Sequence, residues 1–179
     1  AGDSEGLFRA YLAKPIRQSQ LFDTLVSLLA DEAVTRTAAP AAVKAQIDPG
    51  MAARHPLRIL LAEDNVVNQK LALRLLQQMG YRADLASNGL EAVESVERQT
   101  YDVVLMDVQM PELDGLDATR RICALLPAGE RPRIVAMTAN AMQGDREMCI
   151  AAGMDDYITK PIRVDQLVDA LNNVAIRKE

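Results

Sequence analysis

The sequence has few of the residues that define several common classes of functional site. Its 179 residues include no tryptophan, two cysteines and one histidine. Cys123 and Cys149 lack the paired spacing of a metal-binding motif, and two cysteines cannot form a disulfide framework of the secreted type. We therefore expect both to be reduced structural thiols within helices, in a protein of a reducing compartment such as the cytoplasm.

Long apolar runs and clustered basic residues are also missing. No stretch is apolar over the length that a membrane-spanning helix requires, and the first residues lack a secretory signal. The net charge of −5, without a basic run, argues against a nucleic-acid-binding protein. These absences predict a cytoplasmic fragment without direct membrane contact, which leaves open whether a parent protein is anchored in an inner membrane.

The chain does contain a series of short apolar runs of strand length. Four runs, at 59–62, 103–106, 134–137 and 157–159, have the length and β-branched content of strands, buried on both faces of a sheet. A weaker run at 82–86 alternates polar and apolar residues, as an edge strand does. The segments between the runs have helical spacing, so the order is a repeated βα unit and the fold class is α/β.

Apolar spacing also predicts which side of two helices is buried. Val67, Leu71 and Leu75 share one side of the first helix, and Leu167, Leu171 and Val174 share one side of the last. Gly80 and Gly153 each precede a new strand and are expected to end a helix in the left-handed conformation that glycine tolerates.

Polar side chains stand where these runs end. Glu63 and Asp64 follow the first run, Asp107 and Thr138 follow two others, and Lys160 follows the last. Parallel strands bring their carboxyl ends to one edge of a sheet, which is where α/β proteins place their sites. We therefore expect these side chains to form one cluster.

At these positions the sequence resembles a known family. The motifs RILLAEDN, YDVVLMDVQMPELDG, RIVAMTANAM and DYITKPI stand in the order and spacing of the receiver domain of two-component response regulators. The resemblance covers about residues 58–176. It implies a doubly wound, flavodoxin-like fold over residues 57–179, in which a five-stranded parallel sheet of order 2-1-3-4-5 has helices on both faces.

The resemblance also implies the chemistry of the cluster. Asp107 would be the phosphoryl acceptor, and Mg²⁺ would be held by Glu63, Asp64, Asp107 and the backbone carbonyl of Gln109, with Glu63 acting partly through water. Phosphoryl transfer between anions needs charge neutralisation, and Mg²⁺ prefers hard oxygen ligands, so the residue types agree with this role.

Further residues receive roles from the same resemblance. Thr138 would bond a phosphoryl oxygen, and Lys160 would pair with the acceptor carboxylate and then with the phosphoryl group. Thr138 and Tyr157 would form a switch that alters the surface of the fourth and fifth helices and the last strand. The bond between Lys160 and Pro161 is expected to be cis.

Taken singly, each of these residues has a simpler interpretation. Glu63 and Asp64 could start a helix, Asp107 could belong to a turn and Thr138 could cap a helix. Lys160 and Pro161 could form a surface turn, and Tyr157 could be an edge-strand aromatic. Their shared position at the ends of neighbouring strands favours the functional interpretation. Asp102, ahead of its run, and Asp114, beyond Pro111, are not expected to be acceptors.

An internal repeat indicates how the chain is organised. Residues 11–25, YLAKPIRQSQLFDTL, repeat residues 157–171, YITKPIRVDQLVDAL. We therefore interpret residues 1–30 as the last strand and helix of a preceding receiver-like domain, 31–56 as an interdomain linker and 57–179 as the complete receiver. Without an initiator Met, the chain is expected to be part of a longer protein. An apolar helix side in residues 1–30 could support a homodimer.

Tandem receivers resemble the C-terminal part of a hybrid sensor histidine kinase. No ATP-binding kinase domain and no glycine-rich nucleotide loop are recognised in the chain, so kinase activity would belong to the parent and the receiver would catalyse only its own phosphorylation. The sole histidine, His55, precedes Pro56, which disfavours a helix there. The expected partners are therefore a histidine kinase domain as phosphodonor and a histidine phosphotransfer protein as recipient.

Two other functions remain open at this stage. A haloacid-dehalogenase-type phosphatase could share the fold, but it would require an aspartate at the position of Gln109. A receiver that is not phosphorylated could serve as an interaction or dimerisation module of a hybrid kinase. The acidic residues argue against that module for the second domain.

Overall fold

A computed structural model describes residues 47–139 and 142–176. Its five strands form one parallel sheet of order β2-β1-β3-β4-β5, which confirms the expected order. The strands are β1 Ile59–Ala62, β2 Ala83–Ala86, β3 Val103–Asp107, β4 Arg133–Thr138 and β5 Asp156–Thr159. The connecting helices are α1 Val66–Gln78, α2 Gly89–Arg98, α3 Gly115–Leu125, α4 Gln143–Ala152 and α5 Val164–Asn172, and a one-turn helix, Met51–Arg54, precedes the sheet.

The core consists of two layers, one on each face of the sheet. Side chains of successive strand residues point to opposite faces, so Leu61 and Leu105 pack in one layer, and Leu60 and Val104 in the other. Helices α1 and α5 cover the first layer, and α2, α3 and α4 cover the second. All five residues of β3 are buried, as expected for a central strand between two helical layers.

The strand register aligns the carboxyl ends that carry the polar residues. Ala62 at the end of β1 pairs with Met106 of β3, and Asp107 pairs with Met137 of β4. Thr138 in turn pairs with Thr159 of β5. The residues that follow or end these four strands therefore lie along a single edge of the sheet.

The expected buried side of α1 is wrong. Val67 and Leu71 are exposed and Leu75 is only partly buried, whereas Gln69, Ala72 and Leu76 face the core. Gln69 is accommodated because its amide donates a hydrogen bond to the carbonyl of Glu63. Val67 and Leu71 of the apolar stripe lie on the outer surface instead, and Leu75 packs against the edge of the core.

Several other expectations are confirmed. Leu167, Leu171 and Val174 are buried. Gly153 caps α4 with φ of 101°, and Gly80 follows α1 with φ of 87°, both in the left-handed region that favours glycine. The peptide bond between Lys160 and Pro161 is cis. Cys123 lies in α3 and Cys149 in α4, and both are free thiols.

None of the helices that the structure describes is long and apolar enough to cross a membrane.

The last ten residues of the predicted linker pack on the domain. The side chain of Met51 is 5% exposed and belongs to the core layer of α1 and α5. The Ala52 N–H bonds the Met79 carbonyl, and the Tyr81 hydroxyl donates to the His55 carbonyl. Residues 1–46, with the predicted receiver remnant, most of the linker and the apolar helix side, lie outside the described residues. The domain boundary at residue 57 stays a prediction.

Candidate functional site

Three carboxylates meet at the carboxyl edge of the sheet. Glu63 and Asp64 directly follow β1, and Asp107 ends the neighbouring strand β3. One carboxylate oxygen from each lies within 4.8 Å of the others. Glu63 and Asp107 are buried, while Asp64 is exposed to solvent. The site thus has two inner carboxylates and one at its mouth.

Lys160 places a cation against the two inner carboxylates. It follows β5, and its Nζ lies 2.7 Å from Oε2 of Glu63 and 2.7 Å from Oδ2 of Asp107. Its backbone N–H donates to the carbonyl of Thr138 at 2.8 Å, which ties this segment to the end of β4. Burial by itself lowers the Lys160 pKa, but the charges of Asp107 and Glu63 outweigh it and the pKa is raised. Lys160 therefore remains a cation.

Burial and mutual repulsion nevertheless raise the pKa values of two of the acidic groups. Burial, together with the charge of Glu63, raises the pKa of Asp107 to about 7, although Lys160 opposes this shift. Burial and Glu63 also raise the pKa of Asp64. One lysine thus leaves uncompensated negative charge among three crowded carboxylates, and a further cation would relieve it.

The donor set suits a magnesium ion. Three carboxylates supply hard oxygen atoms of the kind that Mg²⁺ binds, usually together with water. The Gln109 backbone is adjacent, because its N–H donates to Oδ1 of Asp107 at 3.1 Å. The residues present therefore fit the ion that the sequence predicts.

Thr138 and Tyr157 occupy different environments. Thr138 ends β4, beside Asp107 in strand order, and is buried. Tyr157 lies in β5, where its side chain is 36% exposed and the guanidinium carbon of Arg146 lies 5.3 Å from the ring centroid. In this conformation Tyr157 lies on the surface beside α4, outside the carboxylate cluster.

The two competing aspartates lie elsewhere. Asp102 precedes β3 at the amino edge of the sheet, where its Oδ2 accepts the Arg58 N–H at 2.7 Å. Asp114 caps α3 by accepting the Asp117 N–H at 2.8 Å. Each has a structural role, and neither belongs to the carboxylate cluster.

Sequence reasoning missed three amide residues that surround Glu63. The Asn68 side chain and the Asn65 N–H both donate to Oε1 of Glu63, at 3.2 and 3.1 Å. The buried Gln69 amide donates to the Glu63 carbonyl at 2.6 Å. The available signal was the run of amides after the acidic pair in EDNVVNQ.

Sequence reasoning also missed two glycines that secure the loop after Asp107. The Gly115 N–H bonds the Val108 carbonyl at 3.0 Å, and the Gly89 N–H bonds the Leu113 carbonyl at 3.1 Å. A Cβ atom at Gly115 would overlap the Asp107 carbonyl, and one at Gly89 would overlap the Leu113 carbonyl. The loop therefore packs backbone against backbone, which only glycine permits at these two points.

The fold and site define an α/β protein with a doubly wound parallel sheet, whose carboxylates and lysine lie at the carboxyl edge where such sheets place their sites. Comparison with known proteins is consistent with that class. Residues 59–172 match the family model of the response regulator receiver domain. The chain belongs to the response regulator receiver domain family.

Three similar proteins illustrate the relationship. Hybrid signal transduction histidine kinase H of Dictyostelium discoideum is 43% identical over 118 residues, which are 64% of this chain and 8% of that protein. The receiver domain of sensor histidine kinase PA1611 from Pseudomonas aeruginosa, solved with a magnesium ion in its active site cleft, is 49% identical with a TM-score of 0.61, over 66% of this chain and 96% of its own.

The third is a Saccharomyces cerevisiae structure. It contains the receiver domain of Ssk1 in complex with the histidine phosphotransfer protein Ypd1, and the match is 30% identical with a TM-score of 0.60, over 65% of this chain and 86% of that one. The chain spans between 6% and 17% of the length of the curated relatives that it matches.

Proposed function

We propose that this domain is the phosphoacceptor of a two-component phosphorelay, in which Asp107 receives a phosphoryl group from a histidine and passes it to a histidine phosphotransfer protein. The observation that carries this proposal is the position of Lys160, whose Nζ lies 2.7 Å from both Asp107 and Glu63. A buried carboxylate beside a fixed cation and two further acidic groups is suited to receive a phosphoryl group.

The same carboxylates would hold Mg²⁺. Glu63, Asp64, Asp107 and the Gln109 carbonyl are the proposed ligands, and the magnesium bound to the similar PA1611 receiver supports them. When bound, the ion supplies positive charge that offsets the repulsion between acceptor and phosphoryl oxygens. This chain would then contribute the ligands and the geometry.

The transfer itself needs few groups. A carboxylate oxygen of Asp107 forms a bond to phosphorus while the phosphorus–nitrogen bond of the phosphohistidine breaks, and the electron pair returns to the imidazole, which takes a proton. Lys160 would shift from the carboxylate toward the phosphoryl oxygens, and the hydroxyl of Thr138 would bond one of them. Positioning and charge stabilisation account for the catalysis, as in other phosphoryl transfers.

The surface beside the site suits a protein partner. Val66 and Val67 are 58% and 54% exposed at the start of α1, one residue beyond the acidic pair, and Leu71 continues this apolar strip by one turn. An exposed apolar strip next to a charged site is typical of an interaction surface. A histidine phosphotransfer protein is the proposed occupant, and the complex of Ypd1 with the similar Ssk1 receiver supports it.

The phosphodonor would be a histidine outside this sequence. His55 is the sole histidine in the sequence and follows the one-turn helix Met51–Arg54, where its carbonyl accepts the Tyr81 hydroxyl. It thus lies in a loop and not on a long helix. We propose that the donor belongs to the kinase domain of a parent hybrid sensor kinase, supported by similarity to hybrid kinase H. The free thiols of Cys123 and Cys149 support a cytoplasmic location.

The proposed switch follows from the same site. Phosphorylation would draw Thr138 toward Asp107 and let Tyr157 leave its exposed position beside Arg146, so a local change of charge would bias a two-state surface. Structures with and without a phosphoryl mimic test this idea. Identical positions of Thr138 and Tyr157 in both would contradict it.

Mass spectrometry after incubation with acetyl phosphate and Mg²⁺ tests the function. We expect a gain of one phosphoryl group, located on Asp107. No gain is expected when the metal is chelated before acetyl phosphate is added. Acetyl phosphate replaces the unidentified histidine donor as a small phosphodonor. A chain that binds Mg²⁺ but never gains phosphate would instead support the alternative of an interaction module.

A further inference from the structure

We propose that the first turn of α1 fixes the position of Glu63 and that Asn68 and Gln69 are positioning residues for the metal site. This inference rests on the proposed function, because it takes Glu63 as a ligand of Mg²⁺. It concerns two side chains that touch neither the acceptor Asp107 nor Lys160 among the described hydrogen bonds and ion pairs.

Glu63 is held at both ends. Its backbone N–H donates to the Ala86 carbonyl at 3.0 Å, and its own carbonyl accepts the Gln69 amide at 2.6 Å. At the carboxylate, Oε1 accepts from the Asn68 side chain and the Asn65 N–H, while Oε2 faces Lys160. The two oxygens thus have different partners, and rotation of the carboxylate would break bonds to both.

The side-chain hydrogen bond of Asn68 is not required to start the helix. Asn65 is the N-cap of α1, and its Oδ1 already accepts the N–H groups of Val67 and Asn68, at 2.8 and 3.3 Å. Asparagine is a poorer helix former than alanine inside a helix. Asn68 therefore occupies a position where alanine would favour the helix more, and the contact of its side chain is with Glu63.

Gln69 also bonds Glu63, but its amide is buried and must be desolvated. It is 8% exposed, within a helix face otherwise formed by Ala72 and Leu76. A buried amide is acceptable only where its polar atoms are bonded, and its nitrogen bonds the carbonyl that immediately precedes Asp64. The bond fixes the backbone from which both acidic side chains of the pair project.

Partners that orient a metal ligand without touching the metal ordinarily affect affinity strongly. Loss of such a partner typically costs about 10- to 100-fold in metal affinity or activity. We expect Asn68→Ala to weaken Mg²⁺ binding within about that range, with a melting temperature in metal-free buffer equal to or above that of the wild type. Asn68→Gln, which keeps an amide donor on a longer chain, should restore part of the affinity.

The experiment is calorimetric titration of the full chain with Mg²⁺ alone, followed by acetyl phosphate labelling. Gln78→Ala is the matched control, because Gln78 is an exposed amide at the far end of the same helix. It should bind as the wild type does. Gln69→Leu, titrated well below its melting temperature, should also weaken binding.

A double-mutant cycle with Glu63→Gln shows whether Asn68 acts through Glu63. Two groups in one network are coupled, so Asn68→Ala should have little further effect once the Glu63 carboxylate is gone. Equal Mg²⁺ affinity in Asn68→Ala and wild type, or an undiminished effect in the Glu63→Gln background, overturns the inference and leaves the proposed function intact. If the wild type itself binds no Mg²⁺, the proposed metal site fails together with the inference.

Discussion

Asp102 and Asp107 lie at opposite ends of β3 and have opposite environments. Both are about equally buried, at 5% and 4% exposed; Asp102 directly precedes the strand and Asp107 is its last residue. Asp102, at the amino edge, accepts the N–H of Arg58 at 2.7 Å and has the Arg58 guanidinium 3.6 Å away. Asp107, at the carboxyl edge, shares its space with two other carboxylates and one lysine.

The difference shows that burial alone does not set the electrostatic environment of an aspartate. At the amino edge a backbone donor and a cation both face Oδ2 of a single carboxylate, which joins the strand to the segment before β1. At the carboxyl edge the carboxylates repel one another, and the pKa of Asp107 is raised to about 7. Relief then requires a proton, a metal ion or a chemical reaction.

The largest expected effect is on labelling by acetyl phosphate. Asp107→Asn should abolish it, because an amide cannot form the acyl phosphate, whereas Asp102→Asn should retain it. Asp114→Asn, which keeps an oxygen for the cap of α3, is a second control. Mass spectrometry of the three variants decides the matter. Full labelling of the Asp107→Asn variant would show that Asp107 is not the phosphoryl acceptor.

Metal binding should distinguish the two edges next. Asp64→Ala should weaken Mg²⁺ binding by more than about 100-fold, the upper end of what loss of an orienting partner costs. Glu63→Ala should have a smaller effect, because Glu63 also serves Lys160 and is expected to act partly through water. Asp102→Asn should bind as the wild type does. Calorimetry that finds equal affinity in all three would argue against a metal site.

The amino edge should contribute more to stability than to chemistry. A chain that begins at residue 57 loses the buried side chain of Met51, and burial of such a side chain is worth about 1.5–3 kcal/mol. We expect it to unfold at a lower denaturant concentration than a chain that begins at residue 47, and to keep its labelling at low temperature. Equal stability of the two would mean that residues 47–56 contribute nothing, and loss of labelling would extend the functional domain to them.

The smallest expected effect is the dependence of stability on pH. The pKa of Asp107 is about 7 in the folded chain, above the value of about 4 of an ordinary aspartate, so between these values the folded state binds more protons than the unfolded state. Stability of the metal-free protein should therefore fall as pH rises from about 4 through about 7. Asp107→Asn lacks this contribution and should be more stable than the wild type at pH 8 by on the order of 1 kcal/mol.

Denaturation in the presence of a chelator, at pH 5 and pH 8, measures this difference. The gain of the Asp107 variant should shrink at pH 5, while Asp102→Asn should show no gain at either pH. A gain that does not change with pH would mean that crowding of charge at the carboxyl edge is not its cause.

Local patterns in the sequence were sufficient for much of the fold. Four apolar runs marked the strands to within one residue, and the alternating run at 82–86 marked the edge strand. Gly80 and Gly153 marked helix ends because the left-handed backbone there depends on the residue itself. The acidic residues and Lys160 were predicted to meet because strand ends of a parallel sheet share one edge.

Tertiary structure decided what these local patterns could not. The apolar stripe of α1 predicted a buried side at Val67 and Leu71, but the helix packs through Gln69, Ala72 and Leu76. Ala72 is fully buried on this side, and the Gln69 amide has an acceptor in the Glu63 carbonyl.

The chemistry of each site residue likewise depends partly on local sequence and partly on tertiary contacts. The sequence by itself determined which residues stand at strand ends, because apolar periodicity and turn residues act over a few positions. The structure decided that Asp102 meets Arg58 whereas Asp107 meets Glu63 and Lys160, and that Asn68 reaches Glu63. Hydrogen bonds and charges act between segments that only folding brings together, so the partners of a polar side chain are set by tertiary packing.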